Sequence, residues 1–334
     1  MKKLFLGVMA IAAMVACSNE SVIVDSKNPI TFGSEFVQNS ITKAEPIDPT
    51  YNNDSAPLHG FTVWGFVTRP SGNLFDGDLV SRASKNDPWV CSKLAYWEPN
   101  KTYKFAAFAP YGVAKCSLTL DNGMLNSDGN LLKVTYENTA GDTDILYSTA
   151  TVVTGDNVLN QEPVKMTFFH LLSKIRFTFT NALGENDFRK VTVTDVVLTA
   201  PANGSLDLTT AKADWAWELG AGTVDLQFGN MQSAIANAQS ETALNERLTI
   251  PFAVAPGTTT DYKVSFKVVI TQGTESCEPI EVTSNLSGVT LRPGKCYNFT
   301  ALLNEETLKL KKIEFTAEVE EWVDGDPYEV EVVK

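Results

Sequence analysis

Apolar residues fall on every second position in segment after segment of this chain, and that period admits one kind of local structure. In the run 174–179, Ile175, Phe177 and Phe179 point one way and Lys174, Arg176 and Thr178 the other. A period of two turns one face of an extended strand into a core and leaves the other in water. The same pattern runs through Leu248, Ile250, Phe252 and Val254, through Tyr262, Val264, Phe266, Val268 and Ile270, and through Ile313, Phe315, Ala317 and Val319. Val191 and Val193 alternate with threonines, and Tyr297, Phe299 and Ala301 follow the turn at Arg292-Pro293-Gly294. Residues 61–67, Phe-Thr-Val-Trp-Gly-Phe-Val, are almost wholly apolar, the pattern of a strand covered on both faces.

Turn residues punctuate these runs. Residues 94–97 and 103–109 flank Glu98-Pro99-Asn100-Lys101, which reads as a hairpin. Shorter strands are expected at 117–120, 132–136 and 144–147. After Asp324-Gly325-Asp326-Pro327, a turn rather than a calcium loop, a last strand places Tyr328, Val330 and Val332 on one face. Residues 233–245, rich in Ala, Gln and Asn, are the one stretch that reads as a short helix. At 334 residues the chain exceeds a typical single domain. The expectation is an all-β protein of two tandem antiparallel β-sandwich domains, 58–170 and 171–334, with the junction near His170.

The first residues carry a different signal. Lys2 and Lys3 precede an apolar run, 4–15, too short to span a bilayer and of the length of a signal-peptide core. It ends at Met14-Val15-Ala16-Cys17, small residues before a cysteine, as a lipoprotein signal peptidase requires. Residues 1–17 thus read as a lipoprotein signal peptide with Cys17 as the lipidated residue. The competing reading is an ordinary secretion signal with a chance cysteine. Residues 18–57 follow as a strand, a processing site and a loop. Ile30, Phe32 and Phe36 lie on one side of the strand, and Lys43-Ala44 is a site for a trypsin-like protease or simply a solvated lysine. No second apolar stretch reaches membrane-spanning length, so the membrane link expected is the lipid on Cys17. The formal charge of -13 argues against nucleic acid.

Chemistry-bearing clusters are scarce. Cys91, Cys116, Cys277 and Cys296 fall two in each half, so one disulfide per domain and four free thiols both stand open. There is no Cys-x-x-Cys, and His59 and His170 are the only histidines, so neither a metal nor a cofactor is expected. His170 sits in an apolar run, where a histidine bonded to the backbone outweighs a catalytic base, and no nucleophile–base pair marks an enzyme. The six tryptophans could line a sugar platform or pack in cores.

Several of these residues together resemble one family. They are Cys17 with its preceding small residues, Ile30-Thr31-Phe32 followed by Thr42-Lys43-Ala44, and Val63-Trp64-Gly65-Phe66. They continue with Tyr96-Trp97, Tyr103 to Pro110, Asp144-Ile145-Leu146-Tyr147, Phe169 to Lys174, and Pro293 to Tyr297 with Ile313 to Trp322. In order and spacing they resemble the fimbrillin-like lipoproteins of Bacteroidales, the subunits of type V pili, over nearly the whole chain. The resemblance implies two transthyretin-like β-sandwich domains and a fimbrial subunit with a role in adhesion. It implies export as a lipoprotein and cleavage by a trypsin-like protease after a basic residue, here Lys43, leaving Ala44 first. It implies assembly with other fimbrial subunits, itself or tip and anchor subunits, by exchange of a strand. Tyr328, Val330 and Val332 form the donor strand on that reading and an ordinary edge strand on the other. Lys43 stands where the family's best known residue is Arg, and the short tail beyond Trp322 leaves shaft, tip and anchor open. Asp54-Ser55-Ala56 resembles the short O-glycosylation site of the same bacteria. The alternative is a glycan-binding outer-membrane lipoprotein that does not polymerise and has no use for a removable strand.

Overall fold

The computed structural model describes residues 28–35, 60–68, 72–83, 87–184, 188–242, 245–258, 260–310 and 313–321. Strand dominates them, as the period of two requires. Among the described residues the helices are Glu305–Leu310 and a 3-10 turn at Lys212–Asp214.

A six-stranded antiparallel sheet organises the first half. Its order is Phe169–His170, Leu146–Val153, Thr102–Ala109, Gly60–Thr68, Asn73–Ser81 and Val90–Cys91. Both faces are covered. Phe61, Val63 and Val67 enter one core with Phe75, Tyr103 and Phe105, while Trp64 enters the other with Ala106, Phe108 and Tyr147. The uninterrupted apolar run at 61–67 follows from this, because each alternate set has its own core to fill.

The second half packs two sheets face to face. One holds Ser173–Asn181, Lys295–Leu303 and Phe315–Glu321, with Ser240–Thr242 and Arg247–Thr249 on the other edge of Ser173–Asn181. The other holds Thr223–Gly229, Lys190–Pro201 and Lys263–Gln272, the last also paired with Ile280–Asn285. Between them lie Phe177, Phe179, Phe228, Phe266 and Phe299. Most pairings are antiparallel, but Ser173–Asn181 runs parallel to Lys295–Leu303. A four-stranded sheet, Trp217–Leu219, Asn203–Asp207, Lys133–Glu137 and Cys116–Thr119, draws its strands from both sides of residue 170.

Three local expectations change. Residues 94–97 do not form a hairpin with 103–109. Both edges of Thr102–Ala109 are taken by longer ladders, to Gly60–Thr68 and Leu146–Val153. Residues 248–254 are not one strand. Arg247–Thr249 pairs with Ser173–Asn181 and Ala253–Val254 with Val289–Thr290, with Pro251 between them. Proline has no N–H to offer a ladder, so the chain changes sheets there. Leu248 and Ile250 enter one core and Phe252 and Val254 another. The described part of 233–245 holds no helix. Ile235 is buried and exchanges both backbone hydrogen bonds with Val191, and Ser240–Thr242 joins a sheet edge. An α-helix would need those same backbone groups.

The four cysteines beyond Cys17 are free thiols, which sets aside a disulfide in either half. Burial pushes the Cys116 thiol up to about 12 and the Cys296 thiol up to about 11, so both stay protonated and unreactive at neutral pH.

Candidate functional site

The first strand of the described chain does not lie on the surface. Ile30 and Phe32 are 3% and 4% exposed and belong to the core under the six-stranded sheet. Period two puts both on one side, and Thr31 between them is exposed. Phe32 meets three rings edge-on: Phe75 at 5.3 Å, Phe105 at 5.7 Å and Phe61 at 6.3 Å between centroids. Edge-to-face packing is a favoured arrangement of aromatic rings.

The strand is held along both edges by backbone. On one side Phe32–Glu35 runs parallel to Val164–Thr167, with Phe32 opposite Val164, and the Val164 N–H donates to the Thr31 carbonyl at 2.7 Å. On the other, the Ile30 N–H donates to the Ala95 carbonyl at 2.8 Å and the Trp97 N–H to the Asn28 carbonyl at 3.0 Å. The Asn28 side-chain amide adds a bond to the Val158 carbonyl at 2.8 Å. The element fills a slot between 94–97 and Val164–Thr167, roofed by the six-stranded sheet. Its two apolar side chains are anchors two residues apart. Val164 and Met166, at 2% and 0% exposure, line it beside Phe168. Slot residues from four distant parts of the chain meet here, and sequence spacing signals none of these pairings. The signals that were present are the alternation at 164–167 and Pro99, which ends any ladder begun at 94–97.

The expected strand residues Ile30 and Phe32 do lie side by side. Phe36, Cys17, Lys43, Ala44, Tyr328, Val330 and Val332 lie outside the described residues, as do His59, residues 54–56 and residues 324–327. His170 is buried, its Nδ1 2.6 Å from Asp144 Oδ2, and Asp144 Oδ1 accepts the Ile145 N–H. Four of the six tryptophans, Trp64, Trp97, Trp215 and Trp217, are buried, and Trp89 is half-buried under the Arg82 guanidinium. These buried rings are core residues, not an exposed sugar platform.

This geometry defines a class: an all-β sandwich protein whose N-terminal strand is an insert in a slot formed by the rest of the chain. The fimbrillin-like family model matches residues 61–322, and the chain belongs to that family. Its fold is similar to that of a fimbrial protein from Bacteroides vulgatus ATCC 8482, at 17% identity, covering 88% of this chain and 99% of that one, with a TM-score of 0.59. It is also similar to a candidate cell adhesion protein from Bacteroides ovatus ATCC 8483, at 13% identity, covering 89% and 98%, with a TM-score of 0.50. No curated protein matches the chain.

Proposed function

We propose that the chain is a structural subunit of a cell-surface fimbria with a role in adhesion. It is exported as a lipoprotein through Cys17 to the outer membrane and matured by a trypsin-like protease that cuts after Lys43. The carrying observation is the slot. Ile30 and Phe32 fill it and are bonded on both edges, yet the strand reaches the body only through residues 36–59, which include Lys43. One cut there would free the strand without cutting any strand among the described residues.

The vacated slot would expose apolar surface and unpaired backbone together. Burying a side chain such as Ile30 or Phe32 contributes about 1.5–3 kcal/mol, and unpaired buried N–H and C=O groups add to the cost. A strand from another subunit relieves both, which drives assembly by β-augmentation. The donor assigned is the tail Tyr328, Val330 and Val332, whose alternation suits a slot with anchors two residues apart. Partners are other copies of the chain or tip and anchor subunits. The two-domain division, 58–170 and 171–334, belongs to the same proposal.

The test is limited digestion of the chain with a Lys-specific protease, followed by N-terminal sequencing and an unheated denaturing gel. The expected product begins at Ala44 and forms a ladder of detergent-resistant multimers. Resistance at Lys43, with 28–35 still protected, would overturn maturation by strand release.

A further inference from the structure

A cavity opens beside the strand slot. It is lined by Leu74, Leu94, Tyr96, Trp97, Pro99 and Val158, with Lys93 at its side. Its surface is unusual for solvent contact: Leu94 is 66% exposed and Tyr96 38%, and Leu159, next to Val158, is 52% exposed. The Trp97 indole N–H is buried and has no acceptor among the described residues.

The described chain begins at this cavity. Asn28 bonds the carbonyl of Val158 and accepts from the N–H of Trp97, two of the lining residues. Upstream lie ten residues, 18–27, Ser-Asn-Glu-Ser-Val-Ile-Val-Asp-Ser-Lys, polar except for Val22-Ile23-Val24. Four extended residues span at most about 14 Å, so Val24 cannot lie far from the mouth of the cavity.

We infer that Val22-Ile23-Val24 docks in the cavity bounded by Leu94, Tyr96, Trp97 and Val158. Three β-branched residues favour an extended segment, and the lining supplies the apolar surface they need. The leader is then held at two places, by Ile30 and Phe32 in the slot and by 22–24 in the cavity. Four residues separate Cys17 from Val22, five steps along the chain, so docking holds the body within roughly 17 Å of the lipid. Without docking, the first tethered residue is Asn28 and the leash is about twice as long. The docking needs only the continuity of the chain, the tether length rests on the proposed lipid at Cys17, and neither rests on strand exchange.

Hydrogen exchange on the full lipidated chain in detergent tests it, beside the variant Leu94→Asp. Leu94 is exposed, so the substitution leaves the fold intact. The amides of 22–24 are expected to exchange about tenfold or more slowly than those of 18–20. Leu94→Asp is expected to abolish that difference and leave 32–35 protected. Free-peptide rates at 22–24 in the unsubstituted chain would overturn the inference. Protection that survives Leu94→Asp would do so too, assigning the segment to the micelle or another surface. Protection lost on dilution would assign the cavity to a second copy of the chain.

Discussion

Phe32 meets Phe75 edge-on at 5.3 Å between ring centroids, and that contact joins the start of the described chain to Asn73–Ser81, the fifth strand of the six-stranded sheet. It makes the N-terminal strand part of the core, not an ornament on it. Phe32→Ala should cost the uncut chain about 3–5 kcal/mol. Urea unfolding of the uncut chain measures this, and an unchanged midpoint would remove Phe32 from the core. The same variant should speed digestion at Lys43, because a strand with one anchor leaves the slot more often.

Gly65 marks how tightly the sheet packs on this core. A Cβ added there would stand 2.6 Å from Phe105 Cδ1 and 3.3 Å from Phe75 Cδ2. Gly65→Ala should therefore destabilise by about 1–3 kcal/mol through overpacking. Adding Phe105→Leu should recover part of the loss, and a double-mutant cycle by chemical denaturation would show the coupling. Strictly additive effects would rule out the proposed clash.

The buried His170–Asp144 pair sits where Phe169–His170 joins the edge of the same sheet. Asp144→Ala leaves the imidazole and the Ile145 N–H without the carboxylate. It should cost about 1–3 kcal/mol, while Asp144→Asn, which keeps an acceptor, should cost less. Thermal unfolding of the two variants compares them. Equal losses would mean that packing, not hydrogen bonding, holds the site.

Cys296 gives the fold an alkaline limit. Burial raises its thiol to about 11 from a model-peptide value of 9.0, against the pull of Arg176 and Lys174. Both states are protonated below the unfolded value, so the contribution is fully present there. It is lost as pH rises from about 9 through about 11, because the unfolded chain ionises first. The two-unit gap corresponds to about 2–3 kcal/mol at its far end. Denaturant midpoints between pH 8 and 11 should fall, and Cys296→Ala should flatten part of that fall. Alkylation at pH 8 should label exposed Cys277 and spare Cys296.

Much of the fold was legible because alternation reports burial directly. Ile175, Phe177 and Phe179 are each 0% exposed, and the strand at Ile30 and Phe32 was visible before any contact was known. Other positions carried the pattern without its consequence. Val319 alternates as Phe315 does, yet it is 58% exposed on a strand at the edge of its sheet, where less of the opposite layer reaches it. Residues 94–97 looked like half of a hairpin and became a wall of the slot. Pro251 sat inside an apparent strand and divided it between two cores.

Sequence alone determined which residues are extended and which face of each strand is apolar, because side-chain direction alternates with every residue of an extended chain. Tertiary structure alone decided which edges meet. Backbone N–H and C=O groups are the same in every strand and name no partner. Partners were chosen by packing between distant residues, such as Phe32 with Phe75 and Ile30 with the wall at Ala95. The slot is made of those choices, so it exists only in the folded chain.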